Sequence, residues 1–169
     1  AYQQIAFFRG TEYFNNSKFY EAVQLFDKSL QQPIMQNFVI KANYWKGEAY
    51  SIALKYQDAV SAYAAVFGAG AAKTSPEYLP TRYGIGYAYY NLKEYSKALG
   101  HFAYYVENGK SVVNERKYYD AMVRLGDCHY ALKQYKRSLV VFDEAIAINP
   151  RQSDYCYFRK GVVYGIMGD

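Results

Sequence analysis

Apolar and polar positions along this chain alternate with the period of a helix. Apolar residues recur three and four positions apart over long stretches, which places them on one face of a helix. Short turn-forming segments, such as Asn15-Asn16-Ser17 and Leu132-Lys133-Gln134, separate these stretches. The pattern therefore predicts an all-α chain of helices joined by tight turns.

A small set of residues recurs four times. Each set starts with a glycine, and a ring follows it by 3 residues, a second ring by 9, a small residue by 12 and a third ring by 16. The four sets are Gly10, Tyr13, Phe19, Ala22, Phe26; Gly47, Tyr50, Tyr56, Ala59, Tyr63; Gly86, Tyr89, Tyr95, Ala98, Phe102; and Gly126, His129, Tyr135, Ser138, Phe142. Gly161 and Tyr164 begin a fifth, incomplete set. The glycines lie 35 to 40 residues apart while the inner spacing is constant, so insertions fall between the units.

These offsets predict that each unit is a helical hairpin. The glycine and the ring that follows it by 3 share a face of the first helix, and the small residue and the last ring share a face of the second. A glycine inside a helix costs about 1 kcal/mol relative to alanine, so its recurrence needs a compensating contact. We expect a neighbouring helix to approach each glycine closely, with the small residue facing it and the rings filling the space around the contact.

Turn-forming residues give the approximate limits of the units. The predicted repeats cover residues 3–36, 40–73, 76–112 and 115–150, and an incomplete repeat covers 153–169. Ser75-Pro76-Glu77 predicts a helix with Ser75 as N-cap and Pro76 as its first residue. Ser153-Asp154 predicts the N-cap of a further helix.

The run Leu125-Gly126 with His129, Ser138, Phe142, Ala145 and Pro150 resembles the tetratricopeptide repeat (TPR), and Ile85-Gly86, Tyr89, Ala98 and Phe102 are closely similar. The resemblance covers essentially the whole chain and implies one array over residues 1–169, folded as a right-handed α-solenoid of antiparallel hairpins. There are departures from the family pattern. The tryptophan favoured in the first helix is replaced by Ala6, Asn43, Arg82, Met122 and Tyr157, and only Pro150 supplies the usual closing proline.

The resemblance also implies a function, because first helices in this family line a concave surface that binds a peptide or protein segment. It implies an aromatic groove with a few charges, lined by Phe7, Phe14, Tyr44, Trp45, Glu48, Tyr83, Tyr87, Tyr90, Arg124, Asp127, Tyr130, Phe158 and Arg159. We hypothesise that Tyr83, Tyr87, Tyr90 and Tyr130 form its centre, since tyrosine often anchors interfaces. The alternative is that these rings only pack against one another between first helices.

A subgroup of the family grips a partner's C-terminal carboxylate with Lys, Asn and Arg at fixed lining positions. In this chain those positions hold Phe7, Thr11, Trp45, Pro80 and Gly84. The sequence therefore does not predict that binding mode.

The amino-acid composition also indicates that aromatic contacts are important in this chain. Aromatic residues make up 20% of the chain, and 22 of the 169 residues are tyrosine. The net charge of +5 is spread evenly, and no stretch is long and apolar enough to span a membrane. RNA binding by a helical repeat is a weaker alternative. Helical repeat proteins that bind RNA tend to keep a fixed repeat length, and this chain does not.

No arrangement of residues predicts catalysis, a cofactor or a metal. Gly68 to Thr74 superficially resembles a phosphate-binding loop, but Ala72 stands where the glycine before the lysine is required. Cys128 and His129 are neighbours in a helix and point about 100° apart, so they do not form a nucleophile and base pair. We interpret Cys128 and Cys156 as small buried hydrophobic residues. The chain is thus predicted to be a non-catalytic interaction scaffold.

A structural role is the remaining alternative, in which the array is a spacer or associates with itself. The incomplete repeat leaves Tyr157, Val162 and Ile166 without the second helix that would cover them. We expect further protein to follow this segment, and an apolar end of this kind can also pair with a copy of itself. The sequence assigns no compartment.

Overall fold

The computed structural model describes residues 1–168, which form nine α-helices and no strand. The helices are α1 (Tyr2–Asn15), α2 (Phe19–Leu30), α3 (Gln36–Ile52), α4 (Tyr56–Phe67), α5 (Tyr78–Asn91), α6 (Tyr95–Gly109), α7 (Glu115–Ala131), α8 (Tyr135–Ile148) and α9 (Asp154–Met167). The all-α prediction is confirmed. The helices divide into two compact units, Ala1–Leu92 and the chain from Lys93 onward.

The first unit contains α1 to α5. Helices α1 and α2 pack as one hairpin and α3 and α4 as the next, while α2 packs on α3 and α4 on α5. Helix α3 also lies against both α1 and α5, so the first helices of successive hairpins are neighbours. Two apolar clusters hold this unit together: Phe7, Ala22, Phe26, Phe38, Ala42; and Ala59, Val60, Tyr63, Ile85, Ala88. The hairpins are therefore joined by a core that continues from one to the next.

Three of the recurring glycines, Gly10, Gly47 and Gly126, each lie against a ring from the second helix of their own hairpin. A Cβ added to Gly10 would lie 2.7 Å from Phe26 Cε1, one on Gly47 would lie 2.4 Å from Tyr63 Cε1, and one on Gly126 would lie 2.6 Å from Phe142 Cε1. These distances are too short for a real Cβ. At these three glycines the space is taken by a ring and not, as predicted, by the backbone of a neighbouring helix.

The turns inside the hairpins share one unusual backbone feature. The residue seven positions after each recurring glycine has a left-handed conformation: Ser17 (φ 59°), Leu54 (58°), Lys93 (61°) and Lys133 (58°). In the first of these turns, the amides of Ser17 and Lys18 bond to the carbonyls of Phe14 and Tyr13. The common conformation explains why the spacing within the units is constant, because a tight turn of this form tolerates no insertion.

The second unit contains α6 to α9, which pack in order along the chain. Its core cluster consists of Tyr118, Met122, Val123, Phe142, Ala145 and Cys156. Ser138 replaces the alanine of the other repeats at a position that is 0% exposed, and its hydroxyl donates a hydrogen bond to the Gly126 carbonyl over 3.0 Å. The serine is thus accommodated without an unsatisfied buried hydroxyl.

The prediction for the start of α5 is wrong. The helix begins at Tyr78, two residues after Pro76, and Glu77 is its N-cap. Ser75 does not cap this helix, because its hydroxyl donates backward to the carbonyl of Ala72 at the end of a short 3-10 turn. Ser153 does lie at the N-cap position of α9, but its hydroxyl likewise donates backward, to Asn149.

Candidate functional site

The first helices of the first unit carry two sets of touching rings. Phe14 of α1 contacts Trp45 of α3 edge to face at 4.9 Å between centroids, and Tyr44 contacts Trp45 at 5.3 Å. On α5, Tyr87 contacts Tyr83 at 5.0 Å and Tyr90 at 6.5 Å. All six rings are half-buried. We call this set, Phe14, Tyr44, Trp45, Tyr83, Tyr87 and Tyr90, the unit 1 aromatic surface.

Phe7 does not belong to that surface, although it was expected in the groove. Its side chain is 4% exposed and packs between Phe26 and Phe38, at 5.8 and 5.2 Å between ring centroids. A phenyl ring enclosed on these sides is a core residue. The aromatic surface on α1 therefore starts at Phe14.

Glu48 is held by a buried tyrosine that the sequence analysis treated only as a packing ring. Tyr63 is 1% exposed, and its hydroxyl donates to Glu48 Oε1 over 2.5 Å and lies 3.3 Å from the Ser51 hydroxyl. Burial, and next the Glu48 charge, raise the pKa of Tyr63 well above its ordinary value. The sequence signal is that Tyr63 stands where the other three repeats have phenylalanine.

Gly84 makes room for the same tyrosine from the following hairpin. A Cβ on Gly84 would lie 2.6 Å from both Cζ and the hydroxyl of Tyr63. Gly47 and Gly84 therefore both lie directly against the ring of Tyr63. Gly84 is a glycine that the repeat pattern does not require, and its role was missed for that reason.

In the second unit, the predicted charged residues meet around one buried carboxylate. Asp127 is 1% exposed and accepts hydrogen bonds from Arg124 Nη1 at 2.7 Å, Arg159 Nε at 3.1 Å and the Tyr155 hydroxyl at 2.8 Å. The Arg159 guanidinium also lies 3.9 Å from the centroid of the Tyr130 ring. We call Arg124, Asp127, Tyr130, Tyr155 and Arg159 the Asp127 cluster.

The Asp127 cluster joins α7 to α9, and Tyr155 was not among the predicted site residues. Tyr155 lies two residues after Ser153, the N-cap of α9, at a position that does not belong to the recurring set of residues. A buried carboxylate is stable only with such partners, because an uncompensated charge is costly in a protein interior. Asp127 therefore positions both arginines and is itself inaccessible to a partner.

Phe158 is the most exposed of the predicted groove residues. Its side chain is 65% exposed, and its neighbour Tyr157 is 55% exposed. Tyr164 and Ile166 are also solvent-exposed on α9. A Cβ added to Gly161 would meet nothing within 4 Å, unlike Gly10 at the equivalent position.

The two cysteines and His129 are buried. Both cysteines are buried, as predicted, and burial raises the pKa of the Cys128 thiol to about 12. His129 is buried and its Nδ1 lies 2.7 Å from Gln134 Oε1.

Among residues 1–168, no group of three or more His, Cys, Asp or Glu side chains is placed to hold a metal ion. None of the helices in this range has the length and hydropathy that crossing a membrane requires.

Two protein-family models match this chain. A family model for the tetratricopeptide repeat matches residues 46–113, and a second TPR model matches residues 119–152. Together the two matches cover more than half of the chain. A comparison with curated proteins finds no match.

Several solved structures share this fold, and one of them is described as a TPR protein. YrrB, described as a TPR protein with an unusual peptide-binding site, is 18% identical with a TM-score of 0.80, over 96% of this chain and 76% of YrrB. MamA from Desulfovibrio magneticus RS-1 is 17% identical with a TM-score of 0.79, over 99% of this chain and 86% of MamA. The apo form of RapI is 17% identical with a TM-score of 0.72, over 97% of this chain and 62% of RapI.

Proposed function

The chain belongs to the tetratricopeptide repeat family, and we propose that it is a non-catalytic scaffold that binds a peptide or protein segment along its first helices. The fold supports a role in protein interaction in general. The observation that carries the finer proposal is the unit 1 aromatic surface, whose six half-buried rings lie on three first helices. YrrB, which has a similar fold, is described as having a peptide-binding site.

Tyrosine and tryptophan suit such a surface for a physical reason. They offer a large contact area with few rotatable bonds, so little side-chain entropy is lost when a partner binds. Their edge-to-face contacts, such as that of Phe14 with Trp45, hold the rings in place before binding. Preorganised rings of this kind bind a segment without first having to order themselves.

Peptide selection from a random display library tests the proposal. We expect the selected peptides to lose at least tenfold in affinity when Tyr87, the central ring of the α5 set, is replaced by alanine, since interface anchors typically contribute more than 1 kcal/mol. Tyr20→Ala is the matched control, because Tyr20 lies on the second helix α2 and is 71% exposed. Equal loss of affinity in both variants, with helicity preserved in both, contradicts the proposed surface.

Self-association is the second candidate, and the exposure of α9 favours it. Tyr157, Phe158, Tyr164 and Ile166 are solvent-exposed on this helix, and exposed apolar side chains of this size can take part in contact surfaces. Sedimentation equilibrium at increasing concentration tests it. A monomer at all concentrations excludes this candidate, and a dimer that Phe158→Ser dissociates supports it.

A further inference from the structure

Helix α9 packs on the second unit with one face. Cys156 and Val163 are seven residues apart on this face and both are 0% exposed, and Cys156 belongs to the core cluster of the unit. At the edge of the contact, Lys160 forms an ion pair with Asp143 of α8. Residues seven apart share a helix face, so the opposite face of α9 points away from this core. That opposite face is therefore presented by a helix that is already anchored.

The outer face of α9 has a glycine floor between larger side chains. Gly161 and Gly165 are four residues apart and lie along one line of the helix. Tyr157 and Tyr164 lie on one side of this line and Phe158 on the other, because each residue advances the helix by about 100°. All five residues are exposed within the described part of the chain. We call them the α9 trough.

The other hairpins show what fills the space above such a glycine. The three glycines that occupy the place of Gly161 in their repeats each lie directly against an aromatic ring of the next helix. That ring follows a small residue by four positions, and the pairs are Ala22 and Phe26, Ala59 and Tyr63, and Ser138 and Phe142. In contrast, a Cβ added to Gly161 or Gly165 would meet nothing within 4 Å among residues 1–168.

We propose that the α9 trough binds an amphipathic helix of a partner protein, with an aromatic ring seated on Gly161 and a small residue four positions before the ring. Small residues on both helices let the two backbones approach, and the ring fills the space above the glycine, as it does in the three hairpins. The α9 trough shares no residue with the unit 1 aromatic surface, so the inference goes beyond the binding of a segment there.

A helix suits this surface better than an extended segment does. A helix satisfies its own backbone hydrogen bonds, whereas an extended segment brings unpaired backbone groups onto an apolar surface. None of the five residues of the α9 trough is charged, so the contacting face of the partner helix should be apolar.

The spacing of small residues and rings favours a different protein over a second copy of this chain. Within α9 itself, no ring follows a glycine, alanine or serine by four positions. The helices α2, α4 and α8 carry the required pair, but their paired residues are at most 1% exposed because they fill their own hairpins.

A peptide from the chain itself tests the proposal, because it carries the required pair in a sequence that is helical in this fold. The peptide is residues 18–31 with an acetylated N-terminus, an amidated C-terminus and a fluorescent label, and it contains Ala22 and Phe26. Its Phe26→Ala version is the matched control peptide. Binding to the whole chain is followed by fluorescence polarisation. We expect saturable binding of the first peptide and at least about tenfold weaker binding of the control, since a buried ring commonly anchors an interface.

Gly161→Leu locates the binding site on the protein. The leucine fills the floor of the α9 trough, and because a Cβ at Gly161 meets nothing, the variant should melt no lower than the wild type. Gly100→Leu is the matched control, since Gly100 is exposed on α6 of the same unit and a Cβ there also meets nothing within 4 Å. We expect Gly161→Leu to bind the peptide at least about tenfold more weakly than Gly100→Leu, which should bind like the wild type. Thermal melting of both variants checks that they are folded.

Equal affinity of the two leucine variants for the peptide, or equal binding of the peptide and its Phe26→Ala control, overturns the helix site. No saturable binding up to about 1 mM overturns it as well. If the wild type forms a dimer that Gly161→Leu dissociates and the peptide does not compete with, a second copy occupies the α9 trough and the proposal is wrong. None of these results changes the test of the unit 1 aromatic surface, which uses Tyr87→Ala and separately selected peptides.

Discussion

The Tyr63 hydroxyl donates a hydrogen bond to the Glu48 carboxylate inside the α3–α4 hairpin, with 2.5 Å between the two oxygens. Phe26 and Phe142, which occupy the place of Tyr63 in two other hairpins, fill the same space without a hydroxyl. Tyr63 therefore combines two roles, since its ring packs on Gly47 and its oxygen reaches the surface charge of Glu48.

We expect Tyr63→Phe to lower the free energy of unfolding by about 1 to 2 kcal/mol, because a hydrogen bond to a charged group is lost while the ring is kept. Urea unfolding of the two proteins measures the difference. Tyr20→Phe is the control and should change stability by less than about 0.5 kcal/mol, as Tyr20 is 71% exposed. A Tyr63→Phe protein as stable as the wild type shows that the hydroxyl contributes nothing.

The same tyrosine should make the protein sensitive to alkali. Its pKa is raised above the ordinary 10.0 by burial and by Glu48, so above pH 10 the unfolded state loses this proton while the folded state keeps it. Stability is fully present below pH 10 and falls above it, by up to about 1.4 kcal/mol per pH unit for one such group.

Urea unfolding between pH 9 and 11.5 checks this expectation, with the range set by the ordinary tyrosine pKa of about 10. Tyr63→Phe should show a shallower decline, by about one proton. Some decline remains in the variant, because burial also raises the pKa of Tyr50, Tyr105, Tyr118 and Tyr119. Identical slopes in the two proteins contradict a raised pKa for Tyr63.

The sequence predicts the hairpins well because their contacts are local. Gly10 and Phe26 are 16 residues apart, and a fixed turn at Ser17 brings them together. Spacing alone therefore indicates that such residues meet. The same reasoning predicts that Ala22 and Ala59 are buried, and both are 0% exposed.

The parts that the sequence does not predict depend on neighbouring elements. Phe7 occupies a lining position of its repeat but becomes core, because Phe38 from the next hairpin lies against it. Asp127 is buried by Arg159 and Tyr155 of α9, about 30 residues away in sequence. The repeat pattern does not link these residues, so the sequence does not predict their contacts.

Phe26 is expected to be a main stabilising residue of the first unit. Its side chain is 0% exposed and lies directly on Gly10, so Phe26→Ala removes the ring and leaves a cavity. We expect a loss of about 3 to 5 kcal/mol in the free energy of unfolding, measured by urea denaturation. Tyr20→Ala, on the same helix and exposed, should cost less than about 0.5 kcal/mol. A loss below 1 kcal/mol for Phe26→Ala means that the hairpin does not depend on this contact.

Cys128 is expected to be unreactive in the folded protein. Its pKa of about 12 reduces the thiolate population at pH 8 on the order of a thousandfold relative to an ordinary thiol, and burial blocks access as well. Treatment with iodoacetamide at pH 8, followed by mass spectrometry, should modify Cys128 in urea but not in buffer. Rapid modification in buffer indicates that α7 opens readily.

Leu54 allows the turn geometry to be tested without disturbing the core. It has φ 58° and is 70% exposed, so its side chain contributes little packing while its backbone is in a conformation that L-residues disfavour. Asparagine tolerates this conformation, whereas a β-branched residue does not. We therefore expect Leu54→Asn to be more stable than Leu54→Val by about 1 kcal/mol in urea unfolding. Because Ser17, Lys93 and Lys133 share the conformation, the same pair of substitutions at Lys133 should give the same order. Equal stability of the Asn and Val variants at both positions contradicts a left-handed residue as the common element that fixes the hairpin spacing.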